Sequence, residues 1–213
     1  MKEGTSGQLQ AILNAIHRNL DEKEQIREKA LVLARDLIRS SSLLIKHLHR
    51  NEGGQAERVR DEIKEKVKEL RQRLLGQQEL WLSGFVQDAL KEVAEALILF
   101  ALMRGEKVPA PDEIGCDDVP YLNGLAEAMS ELRRAVLDSL RQDQLQRAEQ
   151  YLNLMDDVFF MLVRFDHANA LTQGLRHRVD SLRAVLERTR SDVTIAFQYS
   201  KMTAHTGEPK PNP

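Results

Sequence analysis

The chain has 213 residues and an almost balanced charge, 31 Lys and Arg against 33 Asp and Glu, for a formal net charge of −2. That length fits one domain and suffices to bury a core without staples. The single cysteine, Cys116, excludes an internal disulfide framework and fits a reducing compartment, with a surface thiol of no special role as the expectation. The opening "MKEGTSGQLQ" lacks the apolar stretch of a signal peptide. The longest uninterrupted apolar run, Ala96 to Met103, has eight residues against the ~20 that span a bilayer. The expectation is a soluble, cytoplasmic protein with no membrane partner.

The small net charge hides a partition. Residues 22–74 carry +4, residues 75–163 carry −9 and residues 164–213 carry +3. An acidic middle between basic flanks can bind cations in one place and phosphates in another; ordinary solvated helix faces account for the same arrangement.

Nearly the whole chain reads as helix. A short segment at about 8–19 precedes Asp21, which with Glu24 has the spacing of a capping box. A long helix then runs to about Arg50, with Ile26, Leu33, Leu37, Leu44 and Leu48 on one stripe, and ends at "NEGG". Helices follow at about 55–75 and 77–104. The segment "RGEKVPAPDEIGCDDVP" (104–120) is the one real loop, rich in breakers. Further helices are expected at about 119–141 and 144–163. After "FDHANA" a last long helix carries Leu171, Leu175, Val179, Leu182, Leu186 and Val193 at three- and four-residue spacing. Residues 201–213, with Pro, Gly and polar residues, read as a disordered tail. No strand-rich segment, internal repeat or nucleotide-cradling glycine loop is present, so no organic cofactor is expected. The fold class is all-α, a bundle of about seven helices. The first and last helices are long for such a bundle, and the apolar seam from Leu171 to Val193 is expected to bury partly against another copy, giving a homo-oligomer.

The most hydrophobic stretch, "VAEALILFALM" (93–103), carries one carboxylate, Glu95, and Glu92 stands three positions before it. This i, i+3 pair shares a face crowded by Phe85, Val93, Leu97, Ile98, Leu99 and Phe100. A carboxylate drawn into low dielectric must be paired, hydrogen-bonded or bound to a metal. In "YLNGLAEAMSELRRAVLDSL", Glu127 and Glu131 form an i, i+4 pair among Leu125, Ala128, Met129 and Leu132. Two helices each offering two inward carboxylates can build a divalent-metal site, and oxygen ligands favour Mg²⁺ or Mn²⁺. Pairing with Lys91, Arg133 or Arg134, or a place at an interface, explains the same carboxylates.

The six histidines form no constellation: His47 and His49 lie two apart on a helix, and the others are isolated, so core or surface roles are expected. On the first long helix Arg35, Arg39, Lys46 and Arg50 follow spacings of 4, 7 and 4 and form one cationic stripe. With only ten aromatics in the chain, such a stripe suits a nucleic-acid backbone better than stacked bases, though a solvated face explains it equally well.

The segments "ARDLIRSSSLLIKHLHR" (34–50), "ALKEVAEALILFALM" (89–103) and "DVPYLNGLAEAMSELRRAVLDSLRQD" (118–143) resemble the translin family. The likeness is nearest to its translin-associated factor X (Trax) branch and to archaeal and bacterial single-gene relatives. It covers roughly residues 10–200, and "YLNGLAEAMSELRR" is its most specific block. The resemblance implies a translin-like domain over 1–200, a seven-helix bundle assembled into a hollow octamer, and metal-dependent endoribonuclease activity on nucleic acid held inside. It places the acidic ligands on Glu92, Glu95, Glu127 and Glu131, which would serve as catalytic and metal-binding residues together. Translin itself has apolar residues where Glu92 and Glu95 stand, so the likeness implies an active chain. Glu127 stands where Trax has aspartate, one methylene shorter. The cationic segment before the tryptophan in translin is here "GQQELW" (76–81), without a cation, which shifts RNA contacts to the Arg35–Arg50 stripe, with Arg133, Arg134, Arg176 and Arg178 as further candidates.

The leading expectation is therefore a Mg²⁺- or Mn²⁺-dependent endoribonuclease cutting single-stranded or short duplex RNA inside an oligomer. The alternative is a non-catalytic translin-like oligomer that binds RNA or single-stranded DNA, and a structural helical protein without nucleic acid is the third reading.

Overall fold

In a computed structural model, the backbone of residues 2–206 and the side chains of residues 4–203 are described. The described residues form helices joined by turns and short loops, with no strand. Six long helices carry the architecture: α1 (Lys2–His49), α2 (Gly53–Arg73), α4 (Gly84–Arg104), α6 (Asp118–Arg141), α7 (Leu145–Val163) and α9 (Leu175–Thr206). Three single turns join them: α3 (Gln78–Trp81), α5 (Pro111–Ile114) and α8 (Asn169–Thr172).

The packing order follows from which helices are apolar all round. A helix hydrophobic on every side belongs in the interior, and α4 buries twelve residues, including the run Ala96 to Ala101. It lies between α1 and α6; α2 covers α1, and α7 and α9 cover the other side of α6. Leu37, Leu44, Ile98, Leu99, Met129, Leu132, Met155 and Leu182 are among the largest fully buried side chains. The close approach of α6 to α4 depends on Gly124. A Cβ there would stand 2.6 Å from the Lys91 carbonyl oxygen and 2.8 Å from the Glu95 nitrogen. Only a residue without a side chain lets the two backbones meet at this level.

Several expectations change. No break separates 8–19 from the helix after Asp21: α1 is continuous. Asp21 lies within it, bound 2.8 Å from His17 one turn back, because no glycine or proline stands nearby to interrupt the helix. The seam on the last helix starts at Leu175, since Leu171 belongs to the separate turn α8 and is exposed. Gln173 and Gly174 take positive φ angles between the two. Leu175, Val179, Leu182, Leu186 and Val193 are buried within this chain, where α9 packs on α6 and α7. The seam is therefore the protomer's own core and leaves no apolar stripe for a neighbour at those positions. Residues 201–206, read as the start of the tail, continue α9; residues 207–213 lie outside the described residues.

Cys116 is buried, contrary to the surface thiol expected. Burial, with Asp117 beside it, pushes the thiol up to about 12, so it behaves as a small apolar side chain. Surface hydrophobics gather instead on the first half of α1, where Leu9, Ile12, Leu13, Ile16 and Leu20 are all exposed. Among the described side chains before Ala30 none is buried. No described helix is long and apolar enough to cross a membrane.

Candidate functional site

Glu92 and Glu95 sit on successive turns of α4, and Glu127 faces them from α6, one turn past the Gly124 contact. Each of the three offers a carboxylate oxygen, and these oxygens all lie within 4.8 Å of one another. The α4–α6 crossing thus brings together three of the four glutamates singled out in the sequence.

Two cations hold this acidic group. Lys91 Nζ donates to Glu92 Oε1 at 2.8 Å and to Glu127 Oε2 at 2.6 Å, and its side chain is only 12% exposed. Burial alone would lower the Lys91 pKa, but the hydrogen bonds and charges of Glu127 and Glu92 outweigh it and hold the ammonium above its ordinary value. From α9, Arg178 Nε donates to Glu127 Oε1 at 2.7 Å. Its Nη1 is fixed by Asn123 Oδ1 at 3.1 Å and by the Gln173 carbonyl at 3.2 Å. Asn123 itself is buried and donates to the carbonyls of Val119 and Thr172.

Glu95 takes no part in these bonds. Burial first, then the negative charges of Glu127, Glu92 and Glu131, push its pKa up to about 8, with Lys91 opposing. At the Glu95 carboxyl, the charges of Glu127 and Glu92 thus outweigh that of Lys91. Three half-buried carboxylate oxygens this close together are a hard-donor set that could hold a divalent cation.

Glu131 stands apart from that three-oxygen group. Its Oε1 lies 2.6 Å from Nε2 of His49, whose side chain is 2% exposed, and this hydrogen bond holds Glu131 below its usual pKa against burial. The other ring nitrogen of His49 is buried without a hydrogen-bond partner. His49 was not expected to matter. It stands 82 residues from Glu131 in the chain, but its spacing from Ile38 and Ile45 placed it on the inward edge of α1. Arg178 is the other site residue whose role the spacing of carboxylates did not assign, whereas Lys91 makes the pairing that the sequence offered as an alternative.

The cationic candidates divide. Arg35, Arg39 and Lys46 are exposed along α1 and Arg50 just past its end, with Arg39 paired to Asp36 and Arg50 near Glu52. Arg134 is exposed on α6, near enough to Glu131 to help lower its pKa. Arg133 is committed elsewhere. It donates to Thr189 Oγ1 at 2.9 Å and to Asp192 Oδ2 at 2.7 Å, bolting α6 to α9, and does not meet the four glutamates. At the tryptophan, where the sequence offers no cation, α2 supplies one: Arg71 lies over the Trp81 ring at 5.7 Å, and the indole donates to Asp117.

No family model matches the chain. An uncharacterized protein of Methanocaldococcus jannaschii is 29% identical over 198 residues, spanning 91% of this chain and 86% of that protein. Among solved structures, AfC3PO is 27% identical with a TM-score of 0.78, covering 88% of this chain and 97% of its own. The AfC3PO complex with duplex RNA matches over the same shares with a TM-score of 0.73. The apo form of NeC3PO, at 17% identity and a TM-score of 0.78, shares the fold over 86% of this chain and 96% of its own. These all-helical C3PO structures bear out the resemblance to the translin family that the segments around Arg35, Glu95 and Glu127 carry.

Proposed function

We propose that the chain is a translin-type endoribonuclease, dependent on Mg²⁺ or Mn²⁺, that cuts single-stranded or short duplex RNA within a hollow homo-octamer in the cytoplasm. The observation that carries this reading is the convergence of Glu92, Glu95 and Glu127 within 4.8 Å across the α4–α6 crossing. The likeness to AfC3PO, solved with duplex RNA, supports RNA as the ligand.

In this reading Glu92, Glu95 and Glu127 hold the ion, and Glu131, oriented by His49, supplies negative charge beside them. When bound, a divalent ion polarises the phosphodiester and activates water for attack. Arg178 fixes the Glu127 carboxylate through a three-point anchorage, so that ligand needs little reorganisation. The exposed cations Arg35, Arg39, Lys46 and Arg50 guide the phosphate backbone. The decisive assay is cleavage of end-labelled single-stranded RNA with Mn²⁺ or Mg²⁺ and with chelator. Metal-dependent cutting that Glu92→Gln and Glu127→Gln each abolish supports the enzyme; equal cutting by parent and variants removes it.

A second reading, an RNA- or single-stranded-DNA-binding assembly without catalysis, is favoured by one feature. Lys91 and Arg178 already satisfy both oxygens of Glu127. Salt-dependent RNA binding with no cleavage under any divalent ion would establish it.

A further inference from the structure

We propose that Lys91 is the resident counter-cation of the three-glutamate site, exchanged for the divalent ion when one binds. This rests on the metal-binding reading of Glu92, Glu95 and Glu127.

The two cations at the site are built differently. Of the three glutamates Arg178 meets only Glu127, at Oε1, and its guanidinium is also tied to Asn123 Oδ1 and the Gln173 carbonyl. Those two bonds do not involve the acidic cluster, so Arg178 keeps its place whatever occupies the site. Lys91 Nζ is bonded to Glu92 and Glu127 alone, from two different helices. It therefore bridges two members of the group whose oxygens converge. An ammonium and a hard divalent ion seek the same carboxylate lone pairs, and a half-buried oxygen has few to share. A compact ammonium on a flexible four-carbon stem can swing away at low cost, as a planar guanidinium held at three points cannot.

The exchange has an energetic sense. In the metal-free protein, carboxylates gathered in low dielectric repel one another, and Lys91 offsets part of that repulsion. Ion entry must first break two charge-assisted hydrogen bonds. Lys91 thus stabilises the fold without metal and raises the ion concentration at which the site fills. A purely structural Lys91, one that aligns the carboxylates for the ion, predicts the reverse: its loss would weaken binding.

The test compares the parent, Lys91→Met and Lys91→Arg. Met keeps the stem and removes the charge; Arg keeps the charge. Mn²⁺ binding is measured by calorimetry, alongside thermal unfolding with and without saturating Mn²⁺. Exchange predicts that Lys91→Met melts lower than the parent without metal, binds Mn²⁺ at least about tenfold more tightly, and gains more from Mn²⁺ in unfolding temperature. Lys91→Arg should bind no more tightly than the parent. Weaker or equal Mn²⁺ binding by a folded Lys91→Met, with the parent still binding, overturns the exchange and leaves the metal site standing. No Mn²⁺ binding by any of the three overturns the metal reading and the exchange together. Should Lys91→Met lose its helical signal, Lys91→Gln takes its place under the same criteria.

Discussion

Gly124 of α6 rests on the backbone of Glu95 in α4, so close that a Cβ at 124 would lie 2.8 Å from the Glu95 nitrogen. The contact sets the depth at which Glu127 meets Glu92 and Glu95. Alanine is the better helix former by about 1 kcal/mol, so a surface glycine here would gain from Gly→Ala. The clash is with backbone atoms, which cannot rotate away, and overpacking costs about 1–3 kcal/mol. We expect Gly124→Ala to be net destabilising in chemical denaturation and to weaken Mn²⁺ binding by spreading the helices. A gain in stability would show that the crossing has slack.

Glu95 gives the metal-free protein a pH signature. Its folded pKa of about 8 lies above the ordinary 4.5, so the folded state keeps a proton that the unfolded state has released. Its contribution is fully present below about pH 4.5 and is lost as the pH rises through 8. Between pH 5 and 8.5 the parent should therefore lose stability relative to Glu95→Gln by on the order of 1–3 kcal/mol. Parallel curves for the two proteins would contradict the buried, negatively surrounded placement of this side chain.

Glu95→Gln should also end RNA cleavage while leaving the helical content and assembly intact. Glutamine keeps the shape and loses the charge that a hard cation requires. Cutting at the parental rate would exclude Glu95 as a ligand.

The exposed stripe on α1 makes a separate prediction about affinity. Replacing Arg35, Arg39, Lys46 and Arg50 together with alanine should weaken RNA binding and flatten the slope of log affinity against log salt by about 3–4, since fewer counterions are released. All four are exposed, so the melting temperature should change little. An unchanged slope would move the binding surface to Arg134 and Arg176, because Arg133 is held by Asp192.

Assembly has to be probed at the right helix. Leu182 is fully buried inside the protomer, so Leu182→Glu should unfold the chain and say nothing about neighbours. Leu13 and Leu20 are 60% and 61% exposed, and Leu13→Glu with Leu20→Glu should spare the bundle while reducing the oligomer seen in light scattering. A monomeric parent protein would remove the enclosed-site part of the proposal.

The sequence was most legible where periodicity and breakers agree. The stripe through Leu37, Leu44 and Leu48 and the breakers at Gly53, Gly105 and Pro120 located the end of α1, the end of α4 and the start of α6 well. It misled where a local signal had no tertiary support: the Asp21–Glu24 spacing imitates a helix start, yet nothing stops the helix there. The carboxylates stood out because a charge in an apolar run is conspicuous. Their neutralising partners did not, since Arg178 and His49 reach Glu127 and Glu131 from 51 and 82 residues away, a distance at which residue spacing carries no information. The burial of the Leu175–Val193 seam was visible as amphipathicity, but amphipathicity does not say whether a helix faces its own chain or another.

The length of α1 has a consequence in time as well as in space. Its 48 residues reach about 72 Å, yet no described side chain before Ala30 is fully buried, and ahead of it only Ile26 packs partly on the core and Lys23 reaches Glu79. A helical stretch whose described side chains stay out of the core draws little stability from tertiary packing, the main support of helices in proteins. Amide protons on the two sides of Ala30 should then exchange on separate clocks. The inner ones wait for the whole bundle to open, while the outer ones answer to whatever rests on Leu9 through Leu20.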